Sequence, residues 1–295
     1  MKLLIFLLGS FAFAAANAES IDERQDADPD GDVTVSNIAG EVLVTGWDED
    51  AIEITGELRS GVERLDFSRD GKRTTIKVVY QKGRFRRQSA DLFIRVPRAS
   101  DLEINTVSAK IEAEGVRGLQ RLRSVSGNIT AEVFEGDFKA TSVSGNLTVV
   151  GHNARTVLTL TTVSGRTVIE DVSGEVEVKT VSGGIEVNAG VLSRARLNTT
   201  NGRLSLEGAL EAGGRYDLSV HNGNVNVMLV DDANLDVDVE TFNGRIETCF
   251  GEQGQRKHKY GPGNFLRFSR GDADRTVRIR SFNGNVDICS RNTSG

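Results

Sequence analysis

Helical periodicity is almost missing from this sequence, and its absence argues against every architecture built on helices. Apolar residues recur at every second position, and the chain carries 32 glycines but only three prolines. Cysteine is scarce at two residues and histidine at three, so a zinc site would lack its remaining ligands. Basic charge is short as well: 36 Lys and Arg against 42 Asp and Glu give a formal charge of -6, a poor basis for sequence-independent nucleic-acid binding. Beyond the first residues no apolar run approaches the roughly 20 residues of a membrane-spanning helix. Gly-x-Ser-x-Gly, His-Glu-x-x-His and phosphate-loop motifs are all lacking.

What the sequence has in abundance is one short phrase. It runs Thr106-Val107-Ser108, Ser124-Val125-Ser126-Gly127, Ser142-Val143-Ser144-Gly145, Thr162-Val163-Ser164-Gly165 and Thr180-Val181-Ser182-Gly183. An Asn-Gly form follows at Asn201-Gly202, Asn222-Gly223, Asn243-Gly244 and Asn283-Gly284. With Ala109 in the first glycine position, the steps are 18, 18, 20, 18, 19, 21, 21 and 40 residues. A period near 20 marks a solenoid, in which stacked units share a core that none could bury alone.

Alternation sets the phase. Leu158, Leu160, Thr162 and Ser164 share one side, as do Val176, Val178, Thr180 and Ser182, while Glu177 and Lys179 take the other. After the corner a second strand points Leu147 and Val149, Ile185 and Val187, or Leu204 and Leu206 inward. The expected fold is therefore all-β, a single-chain β-solenoid with about 18–21 residues and two strands per coil. Ser or Asn before Gly suits a sharp corner that needs positive φ, and stacked hydroxyls and amides under each bend are expected to form ladders.

The chain divides accordingly. Residues 1–18 read as a signal peptide with an apolar stretch ahead of Ala16-Asn17-Ala18, and no cysteine follows the cleavage point to carry a lipid anchor. Its removal takes Lys2 and leaves 277 residues with a charge of -7. Residues 19–32 read as a flexible leader. Its Asp26 to Asp32 stretch imitates a calcium loop, but Asn37 stands where a bidentate Glu belongs, and no metal or cofactor is expected. Residues 33–100 read as a first coil plus an antiparallel β cap with a hairpin at Asp70-Gly71, and Trp47 is expected to pack over the open end. Residues 101–295 read as the solenoid proper, with a loop excursion at 250–272.

Three candidate sites emerge. Cys249 and Cys289 each lie five residues after a phrase glycine, Gly244 and Gly284, so they share a phase on neighbouring rungs and predict a disulfide. Lys82, Arg84, Arg86 and Arg87 form the most basic run, either a solvated hairpin tip or a patch for an anionic ligand. Val107, Val125, Val143, Val163 and Val181 continue through Thr200 and His221 to Phe242 and Phe282 as one column that points away from the core, either a partner surface or the seat of a loop. The acidic residues Asp231, Asp232, Asp236, Asp238 and Glu240 share an outer strand and read as a solvated face.

In sequence order, Val35 to Gly40, Gly46-Trp47-Asp48, Ile94-Arg95-Val96-Pro97, the Thr-Val-Ser-Gly repeats, Tyr260-Gly261-Pro262-Gly263 and Arg280-Ser281-Phe282-Asn283-Gly284 resemble the bacterial putative adhesin family, exported β-solenoid domains of unknown function. The resemblance covers nearly the whole chain after residue 18. It implies the solenoid fold and a periplasmic, secreted or cell-surface location, and it supplies no catalytic residues. The resulting expectation is a non-catalytic, adhesin-like binding or structural protein of the cell envelope that does not span the membrane. Its partner would be an envelope glycan, lipopolysaccharide or a protein. The alternatives are a carbohydrate-active β-helix enzyme and an envelope-stress scaffold acting through a protein partner.

Overall fold

The computed structural model describes residues 18–59, 61–81, 88–231, 234–257 and 261–291. The phrases line up in a file along one axis. Ser124 is in register with Ser142, Ser142 with Thr162, Ser164 with Ser182, Ser182 with Asn201, and Asn201 with Asn222, all in parallel pairing. Two parallel sheets result, one from the strands before each corner and one from those after it. Between them lie the alternating apolar side chains, with Leu158, Leu160, Leu147, Val149, Leu197 and Leu204 at 0% exposure. Burial of each such side chain stabilises by about 1.5–3 kcal/mol, offset largely by the entropy of ordering the chain.

Between residues 167 and 222 the second corner is not a turn. Thr167–Ser182, Ile185–Asn201 and Leu204–Asn222 are continuous strands that bend through bulged register shifts such as the one between Glu170 and Val172. The extra residues and the tight φ of 53° at Asp171 make the bend without breaking the ladder.

Both ends of the stack depart from sequence order. At the first end, Arg73–Tyr80 runs parallel to Asp32–Asn37, and Ala90–Pro97 runs parallel to Gly40–Trp47. The stretch expected to be a purely antiparallel cap therefore contributes a parallel coil of its own, stacked outside the coil that precedes it in sequence. The chain then crosses to the opposite side, where Asp101–Thr106 and Lys110–Glu114 continue the stack. Antiparallel strands finish this end: Val62–Asp70 on Arg73–Tyr80, and Ala51–Leu58 on Ala90–Pro97.

The residues expected to form a flexible leader also belong to the cap. Glu19–Asp26 is a strand, antiparallel to Ala51–Leu58. Its only buried residue is Ile21, so it carries no alternation to betray it; backbone pairing holds it, aided by Ile21 in the core and by Arg24 on Glu49. Its charges instead protect the edge from further pairing. Beyond it, Arg69 binds Asp28 at 2.8 Å and the Asp26 carbonyl at 2.7 Å, and Lys72 binds Asp30 at 2.8 Å. The acidic turn thus takes its positive charge from the neighbouring hairpin.

At the other end the final coil of the sequence is not the final coil of the stack. Arg275–Asn283 and Val286–Ser290 lie between 215–229 and the pair Leu235–Asn243 with Ile246–Thr248. Asn264–Ser269 closes the edge antiparallel to Leu235–Asn243.

Candidate functional site

The corner edge is built in layers. The first residue of the phrase turns inward: Thr106, Ser124, Ser142, Thr162, Thr180, Thr199 and Thr241 are all buried. The Ser124 and Ser142 hydroxyls each accept the N–H of the following phrase glycine at 2.8 Å, and Thr199 and Thr241 donate to the Gly183 and Gly284 carbonyls at 3.1 and 2.9 Å. This inner ladder is not continuous, for the hydroxyls of Thr162 and Thr180 are buried without a partner among the described residues.

The Ser or Asn of the phrase, expected inside, is exposed. Past the corner the chain has already turned, so this residue leaves the core while its neighbour two positions earlier stays in it. A ladder nevertheless forms in the open. Asn222 donates to Asn201 at 2.9 Å, Asn283 to Asn222 at 2.8 Å, and Asn243 to Asn283 at 2.9 Å.

Glycine is required for closeness more than for φ. Gly145 and Gly183 do not have positive φ. A Cβ on Gly145 would lie 2.0 Å from the Gly127 carbonyl oxygen, and one on Gly183 would lie 1.9 Å from that of Gly165. Each corner rests on the backbone of the previous one, and a methyl group has no room there.

Between these layers stands the apolar column. Val107, Val125, Val143, Val163 and Val181 are 44–48% exposed, and Phe242 and Phe282 are 44% and 42% exposed. Thr200 and His221 are exposed members of the same column. Register adds Ile38, opposite Val107, at the first end. Ile38 escaped the sequence pattern because Ala39-Gly40 replaces Ser-Gly after it. The column therefore rises one side chain per rung, nine steps of about 4.8 Å or about 43 Å in all. Its rungs are tied by the backbone, with Ser126 donating to Val107 at 2.7 Å, and Ser144 to Val125 and Ser164 to Val143 at 2.8 Å. Toward the last rungs it becomes aromatic. His221 stacks on Phe282 at 4.8 Å and Phe282 on Phe242 at 4.9 Å, with planes within 7° and 2°. The excursion expected to seat on this end closes the sheet edge but leaves Phe242 and Phe282 open. A cleft of about 460 Å³ separates Phe242 from Lys257, Pro262 and Asn264.

The other candidates resolve differently. Cys249 and Cys289 form the disulfide, Cα to Cα 4.9 Å, joining the last two rungs of the stack. Lys82, Arg84, Arg86 and Arg87 lie outside the described residues. Trp47 is half-buried rather than lying over an open end: its indole donates to the Ala51 carbonyl at 2.8 Å, with the guanidinium groups of Arg24 and Arg95 at 5.2 and 5.6 Å from its ring.

The acidic strand is neutralised by arginines. Asp238 receives hydrogen bonds from Arg280 at 2.6 Å and Arg267 at 3.1 Å, and Glu240 from Arg267 at 2.7 Å. Partial burial pushes the Asp238 carboxyl up, but hydrogen bonds and charge from Arg280 and Arg267 outweigh it and hold it below its usual range. Asp231 pairs with Arg275 at 2.7 Å, and Asp232 lies outside the described residues. His152 stacks on Phe134 at 4.7 Å, far along the chain from His221.

Among curated proteins nothing matches this sequence. Solved structures align along nearly its whole length. A putative adhesin from Parabacteroides distasonis shares 10% identity, covering 94% of this chain and 98% of its own with a TM-score of 0.36. One from Parabacteroides merdae shares 11%, covering 92% and 97% with a TM-score of 0.34. A putative cell adhesion protein from Clostridium sporogenes shares 10%, covering 92% and 100% with a TM-score of 0.20. Residues 48–289, from the corner after Trp47 to the second cysteine of the staple, match the family described as Toastrack DUF4097, and the chain belongs to that family.

Proposed function

We propose that this protein is an exported, non-catalytic, adhesin-like component of the bacterial cell envelope, and that the exposed corner column is its binding surface. One observation carries the reading: five valines on consecutive rungs stay 44–48% exposed on a chain that has an ample interior to bury them. A contiguous apolar strip on a solvent face marks a contact surface. Because each rung is bonded to the next, the strip is held in shape before any partner arrives, and binding costs little ordering entropy. Export is supported by the N-terminal sequence and by a disulfide of the kind that persists in oxidising compartments. The enzyme alternative has less behind it, since Asp238 and Glu240 are engaged by arginines and His221 by a neighbouring ring.

The test is retention of the purified protein on isolated bacterial envelopes. Replacing Val143, Val163 and Val181 by Ser is expected to cut retention about tenfold or more while leaving the melting curve in place. A variant retained as well as the parent would remove the column from the function. Replacing Arg84, Arg86 and Arg87 by Ser in parallel separates the column from the basic run.

A further inference from the structure

The column has a charged frame. Register identifies the two nearest columns that carry long side chains. On the side before the corner are Arg123, Lys179 and Arg280, and on the side after it Lys110, Arg166 and Arg203. Every other member of these two columns between the rungs of Val107 and Phe282 is Asn, Thr, Ser or Gly. Carboxylates enter them only at the two ends, as Glu41 and Glu240.

The acids that pair with these cations mostly stand one step farther from the corner. Glu103 meets Arg123 at 2.6 Å, Glu112 meets Lys110 at 2.6 Å, and Glu186 meets Arg166. Lys179 likewise meets Glu177 at 2.5 Å and Arg280 meets Asp238 at 2.6 Å, so the long side chains nearest the column are cationic and their acids stand behind them.

We infer that the corner edge docks on an anionic phospholipid bilayer surface, with the valines and phenylalanines facing the acyl boundary and the flanking Arg and Lys reaching the headgroup phosphates. The inference rests on the binding role proposed above and names its partner. Three features fit. Apolar side chains bordered by long cationic ones are the composition of interfacial segments, because the charged tips stay at phosphate level while their stems cover apolar surface. The column runs one side chain per rung for about 43 Å at about 4.8 Å per rung, an extended strip that can meet a surface along its length. Its ring stack of His221, Phe282 and Phe242 places aromatic groups at one end.

Charge decides against the obvious competitor, a second copy of the chain. Because both margins carry Arg and Lys and no carboxylate between the end rungs, laying column on column in either direction sets cations against cations. An anionic surface instead meets opposite charge along both margins.

The experiment is co-sedimentation of the purified protein with vesicles of phosphatidylglycerol and phosphatidylcholine in about equal parts, against vesicles of phosphatidylcholine alone. Binding is expected on the first and not the second, and to fall about tenfold or more as salt rises from about 0.05 to about 0.5 M. Replacing Arg123, Lys179, Arg166 and Arg203 by Gln is expected to weaken vesicle binding at least about tenfold, since each cation near an anionic leaflet contributes appreciably. Replacing Val143, Val163 and Phe282 by Ser should weaken it as well. All seven positions are exposed, and matching melting curves establish that the variants are folded.

Equal binding to both vesicle types, or a Gln variant that binds like the parent, overturns the inference. So does a concentration-dependent dimer in sedimentation velocity that the Ser substitutions abolish, because it identifies a second copy as the occupant. If envelopes retain the protein through its valines while vesicles do not, the lipid assignment falls and the binding role stands.

Discussion

Cys249 and Cys289 sit with their Cα atoms 4.9 Å apart on adjoining rungs, yet the rung bearing Cys289, though later in sequence, is the inner of the two. The disulfide fastens the outermost coil to the coil that was threaded beneath it. Closing a loop of this length stabilises by about 2–4 kcal/mol. Replacing both cysteines by Ser is therefore expected to lower unfolding free energy by that order in denaturant titration. Unreduced, denatured protein should show no free thiol, and hydrogen exchange should quicken first in residues 235–290 once the bond is gone.

Neighbouring glycines should respond in opposite ways. Gly183→Ala places a methyl 1.9 Å from the Gly165 carbonyl oxygen, whereas the nearest atom to a methyl on Gly184 is 3.4 Å away. The first change is expected to cost about 2–3 kcal/mol and the second under about 0.5 kcal/mol. Equal costs would mean that the corners do not rest on one another.

Tyr216 sets an alkaline limit. It is fully buried, its hydroxyl donates to the Ala209 carbonyl at 3.0 Å, and burial pushes its phenol well above the ordinary value. The folded state thus keeps a proton that the unfolded state releases near pH 10, so stability is whole below pH 10 and declines above it, by up to about 1.4 kcal/mol per pH unit. Lys110, held up to about 12 by the hydrogen bonds it donates to Glu112 and Glu41, titrates in the same window. Tyr216→Phe isolates the tyrosine: its unfolding free energy should fall less steeply between pH 10 and 11 than that of the parent.

Asp238 sets a limit on the acid side. Its carboxyl is held low by Arg280 and Arg267, so its contribution is present above the ordinary carboxylate range and is lost as pH falls through its lowered value. Asp238→Asn should cost about 1 kcal/mol at neutral pH and progressively less as pH falls below the ordinary carboxylate range. A cost that stays constant with pH would assign the loss to packing.

The repeat, the phase of the strands up to each corner and the sulfur pair were legible in the sequence because each is local or periodic: Leu160 and Val178 alternate with polar neighbours, and both cysteines keep the same distance from a phrase glycine, whereas alternation carried past the corner put Ser164 and Asn201 on the wrong side. The order of coils was not legible, for a physical reason. Phe242-Asn243-Gly244 and Phe282-Asn283-Gly284 offer the same register to any neighbour, so the phrase specifies how a coil stacks and not on which coil. The parallel pairing of Arg73–Tyr80 was hidden because that stretch carries no copy of the phrase, and its alternation fits a parallel or an antiparallel neighbour equally. Glu19–Asp26 was missed because an edge strand held by backbone hydrogen bonds leaves no apolar signature. The column was placed from alternation alone, but its cationic margins became visible only once register brought Arg123, Lys179 and Arg203 alongside it.

The inverted order of the final two coils gives the last stretch of the chain the part of a keystone. Residues 275–290 supply the backbone partners of coil 204–229 on one side and of coil 235–248 on the other, so a chain cut short before Arg275 loses two rows of native pairing at once.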